Sequence, residues 1–174
     1  MDKIQLAVFT AILFISISSR ATDYFIDPSD GSDATSGTSE TEAWKTTDPL
    51  SNIQLKPGDR LLLQAGDTLR QALRLDNVRG DAKNLWVISR YGEGANPVID
   101  GSGADAAMYF FNPAYVKVEQ LTITNPDGQY GIFMEGKDAG ELASVTIREV
   151  EVFDVYQESF TISNPPLQVL LPTT

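Results

Sequence analysis

From residue 60 onward the apolar residues fall into clusters of three to five, each closed off by Gly, Pro, Asn or Asp. They occupy residues 60–63, 73–75, 85–88, 97–100, 108–111, 116–118, 121–123, 131–134, 145–147, 150–152 and 160–162. No long stretch with a 3.6-residue period follows residue 55, so the pattern predicts an all-β chain of short strands. Upstream, residues 24–27 predict a strand and residues 28–39 a loop rich in Asp, Ser, Gly and Thr. Residues 40–53 predict one or two helical turns, with Ala43, Trp44, Leu50 and Ile53 as apolar contacts and Pro49 limiting their length.

The clusters repeat. Val116-Lys117-Val118 returns as Val145-Thr146-Ile147, and Leu121-Thr122-Ile123 as Val150-Glu151-Val152, both 29 residues later. Ile132 and Met134 return as Phe160 and Ile162, 28 residues later. A unit of this length that recurs in the same order, with connections too short for crossover helices, describes a solenoid, the parallel β-helix. A two-sheet sandwich also gives alternating strands, but not equal registers. Alternation turns Val116, Val118, Leu121 and Ile123 into the coil, one rung from Val145, Ile147, Val150 and Val152. It stacks Lys117 over Thr146, Glu119 over Arg148, Thr122 over Glu151 and Asn125 over Asp154 on the outside.

Several segments carry a family resemblance. These are Tyr24-Phe25-Ile26-Asp27-Pro28, Asp30-Gly31-Ser32-Asp33, Ser36-Gly37-Thr38-Ser39 and Ala43-Trp44-Lys45-Thr46, then Lys56-Pro57-Gly58-Asp59-Arg60 and the run from Tyr91 to Gly101. In that order they resemble the N-terminal part of secreted right-handed parallel β-helix proteins of the pectate-lyase-like superfamily, across residues 24–163. The resemblance implies about three rungs here, entered through a short N-terminal capping helix whose Trp44 covers the open first rung. It implies a carbohydrate-active protein resembling polysaccharide lyases or glycoside hydrolases, with polysaccharide as partner, uronate-containing polymers among the candidates. A non-catalytic glycan-binding or surface protein of adhesin type is the alternative. Lyases of this fold abstract a proton with Lys or Arg beside a Ca²⁺ held by carboxylates, whereas hydrolases need two carboxylic acids. On the outward face that makes Lys117 and Arg148 the candidate catalytic cations, and Glu151 and Asp154 the candidate calcium ligands. Solvated charge and corner capping are the plainer readings of all four.

Composition narrows the chemistry. The 174 residues include no His and no Cys, which excludes a Ser-His-Asp triad, imidazole or thiolate metal ligands and disulfides. The net charge of −11 argues against nucleic acid and fits a ligand that is neutral, cationic, or anionic and bridged by a metal. The loop Asp27, Asp30, Asp33 fails the EF-hand pattern, because Ser32 stands where glycine is required, and reads as an Asx-turn loop. Tyr91, Tyr115, Tyr130 and Tyr156 are candidates for stacking on sugars or for closing the rim of the core.

The two ends complete the expected organisation. Residues 1–21 carry an apolar run ending in small residues, with Ser19 and Ala21 at signal-peptidase spacing, and predict a secretory signal peptide cleaved after Ala21. The run is short for a membrane span, so the product is expected to be secreted, extracellular or periplasmic, with no membrane contact after cleavage. Residues 22–58 form the N-terminal strand, loop and capping helix, and residues 59–164 the rungs. Residues 165–174, with three prolines, are expected to supply no paired strand and to mark a truncated frame.

Overall fold

A computed structural model describes residues 20–136, 144–163 and 169–170. The signal segment up to residue 19 and most of the proline-rich tail lie outside the described residues.

The chain enters through β1 (Asp23–Ile26) and then coils. A first pass gives β2 (Arg60–Gln64), β3 (Thr68–Arg70) and β4 (Leu73–Asp76). A second gives β5 (Trp86–Tyr91), β6 (Val98–Asp100) and β7 (Ala106–Phe111). In the third and fourth passes the first two strands fuse, giving β8 (Val116–Asn125) with β9 (Tyr130–Glu135), then β10 (Val145–Val155) with β11 (Glu158–Ser163). Every pairing is parallel, and each strand pairs with its counterpart one pass later, which is the topology of a β-helix-like solenoid. One sheet runs β1-β2-β5-β8-β10 with β3 and β6 alongside, and the other runs β4-β7-β9-β11.

Register stacks the inward residues into columns. Tyr24, Leu61, Ile88, Val118 and Ile147 form one, and Leu69, Ile99, Ile123 and Val152 a second. Leu73, Met108, Ile132 and Phe160 form a third beside Leu75, Phe110, Met134 and Ile162. Leu61, Ile88, Val118, Ile99, Ile123, Met108, Phe110 and Met134 have no exposed surface. The 29-residue repeat is therefore the pairing register itself, with Val116 on Val145 and Leu121 on Val150.

The fused strands bend at non-glycine residues with positive φ, Gln120 at 56° and Glu149 at 54°. Val118 and Leu121 are three apart yet both fully buried, which a straight strand of period two forbids. The left-handed residue between them resets the phase. The same conformation recurs one rung apart at Tyr115 (53°) and Ser144 (51°), so the corners stack as well as the strands.

Some expectations change. Asn125 faces Val155, not Asp154, because β10 carries an extra residue and its register shifts between Phe153 and Val155. Asp154 is that bulge, at φ 49°. In place of one capping helix there are two 3-10 turns, Glu40–Glu42 and Asp48–Asn52. Between them Trp44 is extended and bridges Ile26, which no helix would permit. Trp44 nevertheless covers the first coil, stacked on Tyr24 at 5.3 Å and donating its indole N–H to the Thr35 carbonyl at 3.1 Å. The tail does contribute a pair: β12 (Val169–Leu170), placed between Pro166 and Pro172, lies on Val145 and Thr146. β3 escaped the sequence pattern because Leu69 is its single apolar residue.

Asn125 staples one coil to the previous one. It is fully buried, and its amide donates to the Ala104 carbonyl at 2.8 Å and the Tyr130 carbonyl at 3.0 Å. A Cβ at Gly101 or Gly128 would collide with this amide. Asn125→Ala should lower unfolding free energy by about 2–3 kcal/mol, because it strands two carbonyls away from water. Gly128→Ala should cost at least as much, and equilibrium urea melts of both variants check this.

Candidate functional site

The outward face of β8 and β10 holds the four candidates from the sequence. Lys117 Nζ lies 2.7 Å from Glu119 Oε1, and Arg148 reaches Glu119 Oε2 at 2.8 Å from both Nε and Nη2. Register explains the convergence, since Arg148 stands directly opposite Glu119. One carboxylate thus occupies both cationic heads, and neither is presented as a base. Burial alone would raise the Glu119 carboxyl, but hydrogen bonds from Lys117 and Arg148 outweigh it and hold the group below its usual range. Glu151 is exposed opposite Thr122, and Asp154 is exposed in the bulge, where its carbonyl accepts from Thr124 Oγ1 at 3.5 Å. Among the described residues no three acidic side chains converge as a metal cage, so Glu151 and Asp154 are not brought together with a third ligand. Asp27 caps its own loop, its Oδ1 accepting from the Ser29 and Asp30 amides at 3.1 and 2.8 Å.

The most site-like geometry lies on the second sheet. Outward positions there stack as Arg74 on Tyr109 on Phe133, interleaved with the inward column of Leu75, Phe110 and Met134. The Arg74 guanidinium carbon sits 4.3 Å from the Tyr109 ring centre, a cation–π contact, while its Nε pairs with Asp76 at 3.0 Å. Tyr109 and Phe133 are stacked at 5.8 Å and 6°, and Tyr130 leans on Phe133 at 4.9 Å. The Tyr109 hydroxyl donates to Glu135 Oε2 at 2.7 Å. Burial first, and then this hydrogen bond, push the Tyr109 phenol above its usual range.

Beside this column runs a groove of about 400 Å³ crossing three coils. It is lined by Leu73 and the small residues Ala72, Ala104 and Ala106, and by the aromatic Tyr109, Tyr130 and Phe133. The exposed Arg74, Asp105 and Gln129 supply its polar groups. Through Ala72 and Arg74 it adjoins a larger hollow of about 1000 Å³ between the Asp48–Asn52 turn and β4. Such a surface suits a ligand with apolar faces and hydroxyl-bearing edges.

Of the tyrosines raised from sequence, Tyr130 reaches this groove. Tyr91 lies elsewhere, packed edge-on to Phe25 at 5.1 Å, its phenol pushed up to about 12 by burial and by Asp27, Glu40 and Asp67. Tyr115 occupies a corner, and Tyr156 is exposed. The sequence reading missed Tyr109 and Phe133 as functional candidates. Their alternation with Met108, Phe110, Ile132 and Met134 already turns them outward.

No family model matches the chain. It is similar to the lacto-N-biosidase of Bifidobacterium longum subsp. longum, 33% identical over 137 aligned residues covering 63% of this chain and 9% of that protein. Its fold is similar to crystal structures of GH136 lacto-N-biosidase from Eubacterium ramulus. The selenomethionine derivative gives a TM-score of 0.72 at 24% identity, covering 84% of this chain and 31% of that one. The native protein gives 0.71 at 22%, covering 81% and 30%. The chain thus spans about a tenth of the curated relative and under a third of each solved chain.

The Glu119 network has a defined pH signature. A depressed carboxyl contributes stability that is present above its unfolded value, 4.5, and lost as pH falls through the lower folded value. Glu119→Gln should therefore cost about 1 kcal/mol at neutral pH, and the gap from the native protein should close in acid. Melting curves at pH 7 and pH 3 check this. A gap that stays constant with pH would assign the loss to packing.

Proposed function

We propose that this β-helix binds neutral oligosaccharide along the aromatic groove, as part of an exported, right-handed coil of the glycoside-hydrolase kind. The observation that carries the reading is the groove itself, lined by the aromatic Tyr109, Tyr130 and Phe133 together with Arg74, Asp105 and Gln129. Sugar rings present C–H faces that pack on aromatic surfaces, and hydroxyl edges that match guanidinium, carboxylate and amide groups. Similarity to lacto-N-biosidases supports a hydrolase-like context over a lyase-like one.

Charge supports a neutral ligand. A chain with a net −11 repels polyuronate unless a cation intervenes. The lyase alternative also needs a cation available for proton abstraction, and Lys117 and Arg148 are both engaged by Glu119. Within the groove the chain's own residues bind and orient. Arg74 is fixed by Asp76 and by the Tyr109 ring, and Tyr109 is fixed in turn by Glu135. Preorganisation of this kind lowers the ordering cost of binding.

Calorimetric titration with lacto-N-biose, with a neutral disaccharide lacking N-acetylhexosamine, and with oligogalacturonate tests the reading. Binding is expected for a neutral sugar and not for oligogalacturonate. Tyr130→Ala and Phe133→Ala should each weaken it by roughly tenfold, equivalent to one lost aromatic contact. Absence of binding to either neutral sugar would sink the proposal, as would full affinity in both variants.

A further inference from the structure

The buried carboxylate of Asp59 lies at the point where the chain enters the coil. Asp59 closes the Pro57-Gly58-Asp59 turn and is 1% exposed. Its Oδ2 accepts the Lys56 backbone N–H at 2.8 Å, and its Oδ1 accepts the Thr22 backbone N–H at 2.8 Å. No cationic side chain forms an ion pair with it among the described residues. A carboxylate this buried with only neutral donors is a costly arrangement, and a counter-charge would relieve it.

Thr22 is also tied to the start of β2 through its carbonyl. The Thr22 carbonyl accepts the Arg60 N–H at 2.9 Å, and the nearby Tyr24 phenol is pushed up first by burial and then by Asp59. Asp23 and Arg60, the next residues along, pair with each other and leave Asp59 untouched. Thr22 is also the first residue after the expected cleavage point at Ala21.

We propose that Asp59 is the receptor for a new amino terminus: signal-peptide removal at Ala21–Thr22 creates an α-ammonium that forms a partly buried ion pair with Asp59 and locks β1 onto the first coil. Signal peptidase hydrolyses the peptide bond with one water. Ala21 takes the hydroxyl of water and ionises to a carboxylate, while the Thr22 nitrogen keeps its amide hydrogen, receives the other hydrogen of water and takes up the proton the carboxyl releases, giving –NH3⁺ at neutral pH. The 2.8 Å hydrogen bond, now donated by an uncharged amide to the carboxylate, then becomes an ion pair charged on both sides at the same position. Processing and folding are thereby coupled, since the uncleaved chain offers Asp59 an amide only. This inference rests on the export reading and is independent of the glycan groove.

The test has two separable parts. The full chain is expressed in a secreting bacterium, and the N-terminus of the exported protein is read by mass spectrometry; Thr22 is expected. Two proteins are then made from a cleavable fusion, one beginning at Thr22 and one at Ala21. The second keeps the amide hydrogen bond but moves the charge one residue away. The Thr22 protein should melt about 3 °C or more above the Ala21 protein. In the Asp59→Asn background that difference should vanish. If Asp59→Asn does not fold, the comparison of the two native-sequence proteins decides. An exported N-terminus other than Thr22 overturns the processing step. Equal melting of the two proteins, or a difference that survives Asp59→Asn, overturns the ion pair while leaving the export reading intact.

Discussion

Each coil of this protein can bury its apolar side chains and satisfy its strand backbone only against the coil before and after it. That dependence governs the rest of the structure. It forces like onto like: Leu61 on Ile88 on Val118 on Ile147 in one column, Leu75 on Phe110 on Met134 on Ile162 in another. It also makes the first coil a liability, because a strand without a predecessor exposes both its ladder and its interior. The N-terminal segment answers both needs. β1 supplies the missing partner for β2, while Trp44, extended against Ile26 and stacked on Tyr24, fills the open end of the interior. Gly37 is fixed by the same plug, since a Cβ there would enter the indole ring.

The register that builds the core also builds the surface. Outward residues one coil apart lie about 5 Å from one another, so any chemistry the chain carries is assembled in columns. On one face this converts residues distant in sequence into the Lys117–Glu119–Arg148 network. On the other it makes the Arg74–Tyr109–Phe133 stack and the groove beside it. The two columns differ in character although they follow the same rule. The first ties both its cations to one carboxylate, and the second leaves aromatic and polar side chains lining a hollow.

The fold was legible because the fused strands β8 and β10 keep one register over many residues, so Val116, Val118, Leu121 and Ile123 announce their partners directly. The groove was not legible for a related reason. Arg74 pairs with Tyr109 across a spacing of 35 residues, and Tyr109 with Phe133 across 24, so no constant period connects them. Turn segments between the sheets vary freely in length, and pairing in the second sheet is fixed by the inward column rather than by counting. The capping segment was legible in its purpose and not in its form. Trp44 was recognisable as a cover, but only the bridge to Ile26 shows why the backbone there is extended.

The bulge at Asp154 shows how such a coil keeps time. Partners lie 29 residues apart up to Phe153, 30 apart at Val155 and 28 apart from Glu158 onward. One residue gained in the strand is followed by two lost in the turn, and the second sheet resumes in phase. Corners therefore act as length reservoirs, where the turn after β10 offsets the residue that the bulge adds to the ladder. A coil built this way tolerates changes of sequence and spacing while its rungs stay aligned. That fits a fold shared with solved chains, at TM-scores of 0.72 and 0.71, despite identities of 24% and 22%.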